Sequence, residues 1–411
     1  MSPFLHAHAL HPDWRVALSQ ALQRVERQAS RPGTLTEPTL GWVYITDHFA
    51  PHAEAIYDGL QRRWPQTHWV GATGVGVCAS GVEYFDQPAL VLMLADLPET
   101  RFRVFSGANP LISGAARARG FDAATALVHA DPRVTDLAEL VHEMSDRTST
   151  GYLFGGLASS RAQAWQFADG VYAGGLSGVA FSRDVALLSR VTQGCHPVGP
   201  VRRITAAQRN LITRLDDLPA LDCLLQDLDA SESEPRAAFE KLQRVLVGLS
   251  APGDVLLSRP GQFGNDTIVR HVAGFDPQQR GVAVADSVEV GMRAAFCVRD
   301  VEAARRDLVR ICTEIREELE PEGAWREPAP VTALGTGAEG SASGAARIAG
   351  AVYVSCAGRG GPHFGGPSAE LALIRQSLGD VPLAGFFAAG EIARHHVYGY
   401  TGVLTLFTLP A

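Results

Sequence analysis

The chain has 411 residues, 46% hydrophobic and 19% charged, and its 44 acidic against 36 basic side chains give a net charge of −8. That size points to about two or three domains, and an acidic balance with no basic cluster argues against nucleic acid or an anionic membrane as the principal partner. No run of about 18 apolar residues could span a bilayer, no signal-peptide pattern opens the sequence, and the six cysteines form no CxxC or disulfide-rich spacing; a cytoplasmic protein is expected.

Residues 12–29 read as a lead-in helix, followed by a Pro/Gly/Thr break from Ser30 to Thr39. His6, His8 and His11 ahead of it read as a short exposed polar terminus, with metal ligation the alternative. A helix over 52–64 is marked by Ala53, Ile56, Tyr57, Leu60 and Trp64, and another near 134–147 by Val134, Leu137, Val141 and Met144. Arg202–Asp217 predicts a strand pair turning near Ala206–Arg209. Helices are expected at 218–228 and 236–249, with the acidic Asp227–Pro235 stretch between them as a domain boundary. Strands follow up to Val298, including Ile268–Gly274 and Gly281–Val290. The strongest helical pattern covers 301–319, where Val301, Ala304, Leu308, Ile311, Cys312, Ile315 and Leu319 share one face. Gly335–Ala346 reads as a flexible small-residue loop.

One pattern recurs. GWVYIT (Gly41–Thr46), a helix, WVGATGVG (Trp69–Gly76) and PALVLMLADLP (Pro88–Pro98) are echoed by GAVYVS (Gly350–Ser355), a helix, LAGFFAAGE (Leu383–Glu391) and GVLTLFTLP (Gly402–Pro410), and more faintly within Ala124–Ser182. The expected fold is α+β, with two related halves built from repeated strand–helix–strand–hairpin units and mixed sheets covered by helices. The expected parts are a lead-in at 1–37, one domain at 38–228 and another at 229–411. A strand–helix–strand unit makes its two strands parallel, so the residues after them meet at the carboxyl edge, where open α/β sheets bind ligands. In the last copy these are Cys356–Arg359 and Gly390–Glu391, and in the first they are Asp47–His48 and Thr73–Gly76.

The loop SCAGRGGPH (Ser355–His363) leaves a strand and precedes a helix near Ser368, which suits close approach of backbone N–H groups to a ligand. It is otherwise a connection holding an inert buried cysteine. No P-loop lysine follows, and His363 replaces the third glycine of a dinucleotide fingerprint. Glu391 needs a partner if buried, and Arg359 is the expected one, as a structural pair or as part of a ligand site. GVGVCA (Gly74–Ala79) precedes a hairpin and not a helix, which removes the dinucleotide reading. His142-Glu143 lacks the second histidine of a zinc-protease motif, since Asp146 stands there. His395 and His396 read as a solvent-facing turn or as a ligand contact. Arg270 is a ligand anchor or an outward-facing strand residue.

Several segments resemble FIST-domain proteins: VRHVAGFD (Val269–Asp276), VEVGM (Val288–Met292), SCAGRG (Ser355–Gly360) and GFFAAGEI (Gly385–Ile392) in one half, WVGAT (Trp69–Thr73) and GGLA (Gly155–Ala158) in the other. The resemblance covers roughly residues 38–410. It implies a paired FIST-N and FIST-C module, an intracellular sensory domain for small ligands such as amino acids, acting here through a separate signalling or effector protein. Some relatives are haem-containing nitric oxide sensors and others are F-box adaptors, so a haem sensor and a protein-interaction adaptor stand as alternatives. The expected ligand-binding residues are Cys356, Arg359, Gly360, His363, Gly390, Glu391 and Arg270, with no catalytic or metal-binding residue. An enzyme acting through a reactive Cys356 requires a thiolate stabilised by Arg359 or His363.

Overall fold

The computed structural model describes residues 4–31, 35, 37–112, 121–231, 233–252, 256–259, 262–264, 267–320 and 346–410. Seven α-helices lie within them: α1 (Trp14–Ala29), α2 (Ala53–Arg63), α3 (Leu137–Asp146), α4 (Ala220–Asp227), α5 (Pro235–Leu242), α6 (Val301–Leu319) and α7 (Ala369–Leu378). The architecture is α+β, with mixed sheets covered by helices.

Three six-stranded sheets carry the fold, and each is built around one parallel pair. Leu40–Thr46 runs parallel to His68–Gly74 across α2, Thr125–Ala130 to Tyr152–Leu157 across α3, and Ala346–Cys356 to Leu383–Ala388 across α7. The first strand of each pair also takes an antiparallel neighbour, respectively Ala89–Ala95, Leu176–Phe181 and Thr401–Pro410. The hairpins are exchanged in a ring. The Gly76–Ala79/Val82–Phe85 hairpin adds to Leu383–Ala388, the Gln166–Ala168/Val171–Tyr172 hairpin to His68–Gly74, and the Glu391–Arg394/His396–Tyr398 hairpin to Tyr152–Leu157. Sheets are thus completed by strands from both sides of residues 228 and 229.

Strand periodicity explains the layers. Trp42 and Tyr44 point inward to a core shared with Phe154, Phe181, Phe386 and Phe407 from the other two sheets, while Val43 and Ile45 point outward beneath α1 and α2. On the third sheet the outer face is covered by α6 and α7, through Leu308, Ile311, Ile315, Leu371 and Ile374. Asp300 caps α6 by accepting the Ala303 N–H.

The fourth sheet closes on itself. Arg293–Arg299, Arg202–Gln208, Leu211–Leu215, Gly281–Val284, Ile268–Asp276 and Val245–Ser250 pair in that order, and the last strand pairs again with the first, giving an antiparallel barrel. Its interior holds Ile204, Ile212, Val247, Val282 and Phe296.

Three expectations are corrected. Phe4–Leu10 is a strand on Ala89–Ala95 and not a loose terminus, with His8 Nδ1 2.5 Å from the Tyr84 hydroxyl. The helix expected at 236–249 stops at Leu242, because the apolar run Val245–Ser250 is a fully buried barrel strand. The strand expected at Gly281–Val290 ends at Val284. The Gly335–Ala346 loop lies, up to residue 345, outside the described residues. Among the described residues no helix is long and apolar enough to cross a membrane, and no cluster of three or more His, Cys, Asp or Glu side chains is set to hold a metal ion.

Candidate functional site

Parallel register sets Cys356 opposite Ala388, so the loop after Cys356 and the Gly390–Glu391 turn adjoin at the carboxyl edge. Two short 3-10 turns, Ala357–Arg359 and Gly361–Phe364, carry the loop to Gly365, whose left-handed φ of 91° redirects the chain toward α7.

Arg359 is 1% exposed and turns inward. It donates from Nε and Nη2 to Oε1 of Glu370, at 2.9 and 2.6 Å, and from Nη1 to the Thr192 carbonyl at 3.2 Å. Tyr353 donates its hydroxyl to the same carboxylate at 2.7 Å, and Ser355 donates at 3.0 Å. Burial opposes the charge on Arg359, but Glu370, Tyr353 and Glu391 together outweigh it, and its pKa lies above the usual arginine value. Glu83, from the exchanged hairpin, accepts the backbone N–H groups of Glu370 and Leu371 at the start of α7. Burial, reinforced by Glu370, pushes the Glu83 carboxyl up to about 7.

The expected Arg359–Glu391 ion pair is therefore corrected: the partner is Glu370. Glu391 is fully buried, and its Oε2 accepts from the Thr401 N–H at 3.1 Å and the Thr401 hydroxyl at 2.7 Å, while Oε1 has no hydrogen-bond partner. Burial raises its pKa to about 8, against smaller lowering effects from Thr401, Arg359 and the neighbouring Cys356 thiol. Burial and the Glu391 carboxyl together push the Cys356 thiol up to about 12. Arg359, whose guanidinium is bonded to Glu370, offsets little of this, so burial and Glu391 favour the protonated thiol.

The remaining expected residues separate. Gly360 lies against Phe85, where an added Cβ would come within 2.1 Å of the ring. The Gly390 carbonyl accepts the Leu157 N–H at 2.8 Å and fixes the exchanged hairpin. Arg270 donates to Asp286 at 2.7 Å and to the Val397 carbonyl at 3.0 Å, tying the barrel to that hairpin. Of these, His363 lines an open cavity.

That cavity is a groove of about 930 Å³ where the barrel meets the carboxyl edge. Its lining includes His271, Arg299, His363 and Tyr400, the apolar Leu246, Val298 and Val301, and the exposed Lys241 and Arg244. Arg299 donates to the Gly358 carbonyl, lies 3.4 Å from His363 Nδ1 and stacks 5.1 Å over the Tyr400 ring. The Tyr400 hydroxyl bonds His271 Nε2. Tyr400 itself adopts a left-handed φ of 62° at the turn into the last strand. Burial, then Arg299 and Arg359, lowers the His363 pKa to about 4, so its ring is neutral.

Sequence reasoning missed Arg299, Tyr400, His271, Glu370 and Glu83. His271 follows Arg270 on a strand, so the two point to opposite faces, and naming Arg270 as the ligand-binding residue drew attention away from the neighbour that lines the groove. A haem axial ligand must present an imidazole nitrogen to the groove. His271 Nε2 is taken by Tyr400 and His363 Nε2 is buried without a partner, so the histidines of this groove do not fit that role as arranged.

The chain belongs to the FIST family: the FIST N domain matches residues 39–218 and the FIST C domain residues 220–394. FIST domains are sensory, ligand-binding modules of signal transduction. An uncharacterised protein of Mycobacterium bovis is 31% identical over 414 aligned residues, covering 96% of each chain. An uncharacterised protein of Mycobacterium tuberculosis is 30% identical over 412, covering 96% of this chain and 97% of its own length.

Proposed function

We propose that this chain is a non-catalytic intracellular sensor that binds a small ligand in the groove beside the 356–364 loop and signals through a separate effector protein. One observation carries the reading. Arg299 and Tyr400 both line the groove and both join the barrel to the three-sheet body, so a ligand contacting them acts on the junction between the two. Its volume falls within the usual range for small-molecule sites, about 300–1,000 Å³.

In this reading His363 touches the ligand. Cys356, Arg359, Gly360, Gly390 and Glu391 support the loop and turn from beneath, and Arg270 holds the barrel in place. The chain is further read as one strand–helix–strand–hairpin unit used repeatedly, two copies in residues 38–228 and one in 229–411, which the common strand order of the three sheets supports.

The test is native mass spectrometry of the protein as purified, together with thermal shift against a panel of amino acids and central metabolites. A bound mass or shift that disappears in Val298→Trp, which fills the groove, is expected. Binding that persists undiminished in that variant would place the site elsewhere.

A further inference from the structure

Resting on that reading, we propose that the groove takes a small organic anion: an acidic head group, carboxylate or phosphate, held by Lys241, Arg244 and Arg299, with an apolar body lying on Val298 and Val301. The chain carries a net charge of −8, yet this groove has three cationic side chains and a single carboxylate, Glu240, in its lining. None of the three cations has a carboxylate partner among the described residues. Lys241 donates to the Leu228 and Asp229 carbonyls, and Arg299 contacts a carbonyl, an imidazole and a ring. Glu240 pairs loosely with Arg236 at 3.9 Å, and the nearby Asp300 is engaged in capping α6.

Guanidinium and ammonium groups that line one concave surface without a carboxylate partner recognise carboxylate or phosphate oxygens. His363 is kept neutral first by burial and then by Arg299 and Arg359, with Asp300 opposing, so it adds no positive charge of its own to the groove. The apolar part of the lining adds the second half of the specificity. A bare inorganic anion leaves the half-buried Val298 and Val301 uncovered, whereas an aryl or alkyl body covers them.

Two dyes separate the halves. 1-Anilinonaphthalene-8-sulfonate has an anionic head on an aromatic body, and N-phenyl-1-naphthylamine has the same rings without the charge. Fluorescence titration of the full chain should show one sulfonate dye per chain, with affinity falling as salt rises. It should weaken roughly tenfold in Lys241→Gln/Arg244→Gln, whose exposed side chains leave the core untouched. The neutral dye should bind more weakly and ignore that double variant. Displacement by decanoate or by decyl phosphate then shows whether the preferred head is a carboxylate or a phosphate.

Equal binding of both dyes, unaffected by the double variant but abolished by Val298→Trp, would overturn the anion while leaving the small-ligand site standing. Failure of both dyes to bind, or binding of both that ignores Val298→Trp, would overturn the anion and the groove together.

Discussion

Arg359 gives Nε and Nη2 to a single oxygen of Glu370, and so the one arginine of the glycine-rich loop faces the core and not a ligand. The pair is almost completely desolvated, at 1% and 0% exposure. Breaking such a pair strands a charge, whereas replacing both partners with apolar groups removes the problem. Arg359→Met or Glu370→Leu alone should each cost about 3–5 kcal/mol, and the double variant should cost clearly less than the sum. Urea denaturation of the three variants measures this, and strictly additive losses would show that the two residues do not act as a pair.

Glu391 gives the protein a pH dependence of definite sign. Its carboxyl holds a proton up to about 8 in the folded state, against a reference value of 4.5. The folded state therefore binds more protons than the unfolded one across that window. The contribution is complete below 4.5 and is lost as pH rises through about 8. Glu83, raised to about 7, acts in the same direction. The thermal midpoint should fall from about pH 6 to about pH 9, and Glu391→Gln, which mimics the protonated acid, should flatten that fall. A slope identical in the variant would mean that Glu391 is ionised throughout.

Cys356 should be a poor nucleophile. With its thiol pushed up to about 12, almost none is thiolate at neutral pH. Iodoacetamide at about pH 8 should modify it on the order of a thousandfold more slowly than a free cysteine. Peptide mapping by mass spectrometry over time provides the rate, and alkylation as fast as that of free cysteine would restore the case for covalent chemistry.

Gly360 is required by space and not by backbone angle, since its φ is −68°. An added Cβ meets Phe85 at 2.1 Å and Phe387 at 3.1 Å. Gly360→Ala should destabilise by about 1–3 kcal/mol, the usual range for overpacking. Adding Phe85→Leu should recover part of the loss. No recovery would point to a cause other than the ring.

The parts of this fold that were legible in the sequence are those set by one period in a long segment. α6 matches its expected bounds because seven apolar positions hold one face over 19 residues. The meeting of Cys356 with Gly390–Glu391 follows from the parallel crossover alone. Val245–Ser250 was not legible, since a short apolar run fits a helix and a buried strand equally well. Phe4–Leu10 does alternate, but histidines occupy half of one face and disguise a strand as a polar terminus. The Glu370 partnership was hidden for another reason: an acid in the first turn of a helix already has a local explanation in the helix dipole. Arg299 and Tyr400 come together only because the barrel packs against the third sheet, which no local pattern encodes.

The exchanged hairpins also set the order in which this protein can be completed on the ribosome. Gly76–Ala79, Tyr152–Leu157 and Leu187–Gln193 each find one neighbour within residues 383–410. At a translation rate of about 5–20 residues per second, the wait from residue 193 to residue 410 lasts on the order of ten seconds or more. Through that interval strand edges stand open as templates for a wrong partner. Nascent chains halted just short of residue 383 should accordingly be the ones that a chaperone holds, and release of the last 29 residues should free them.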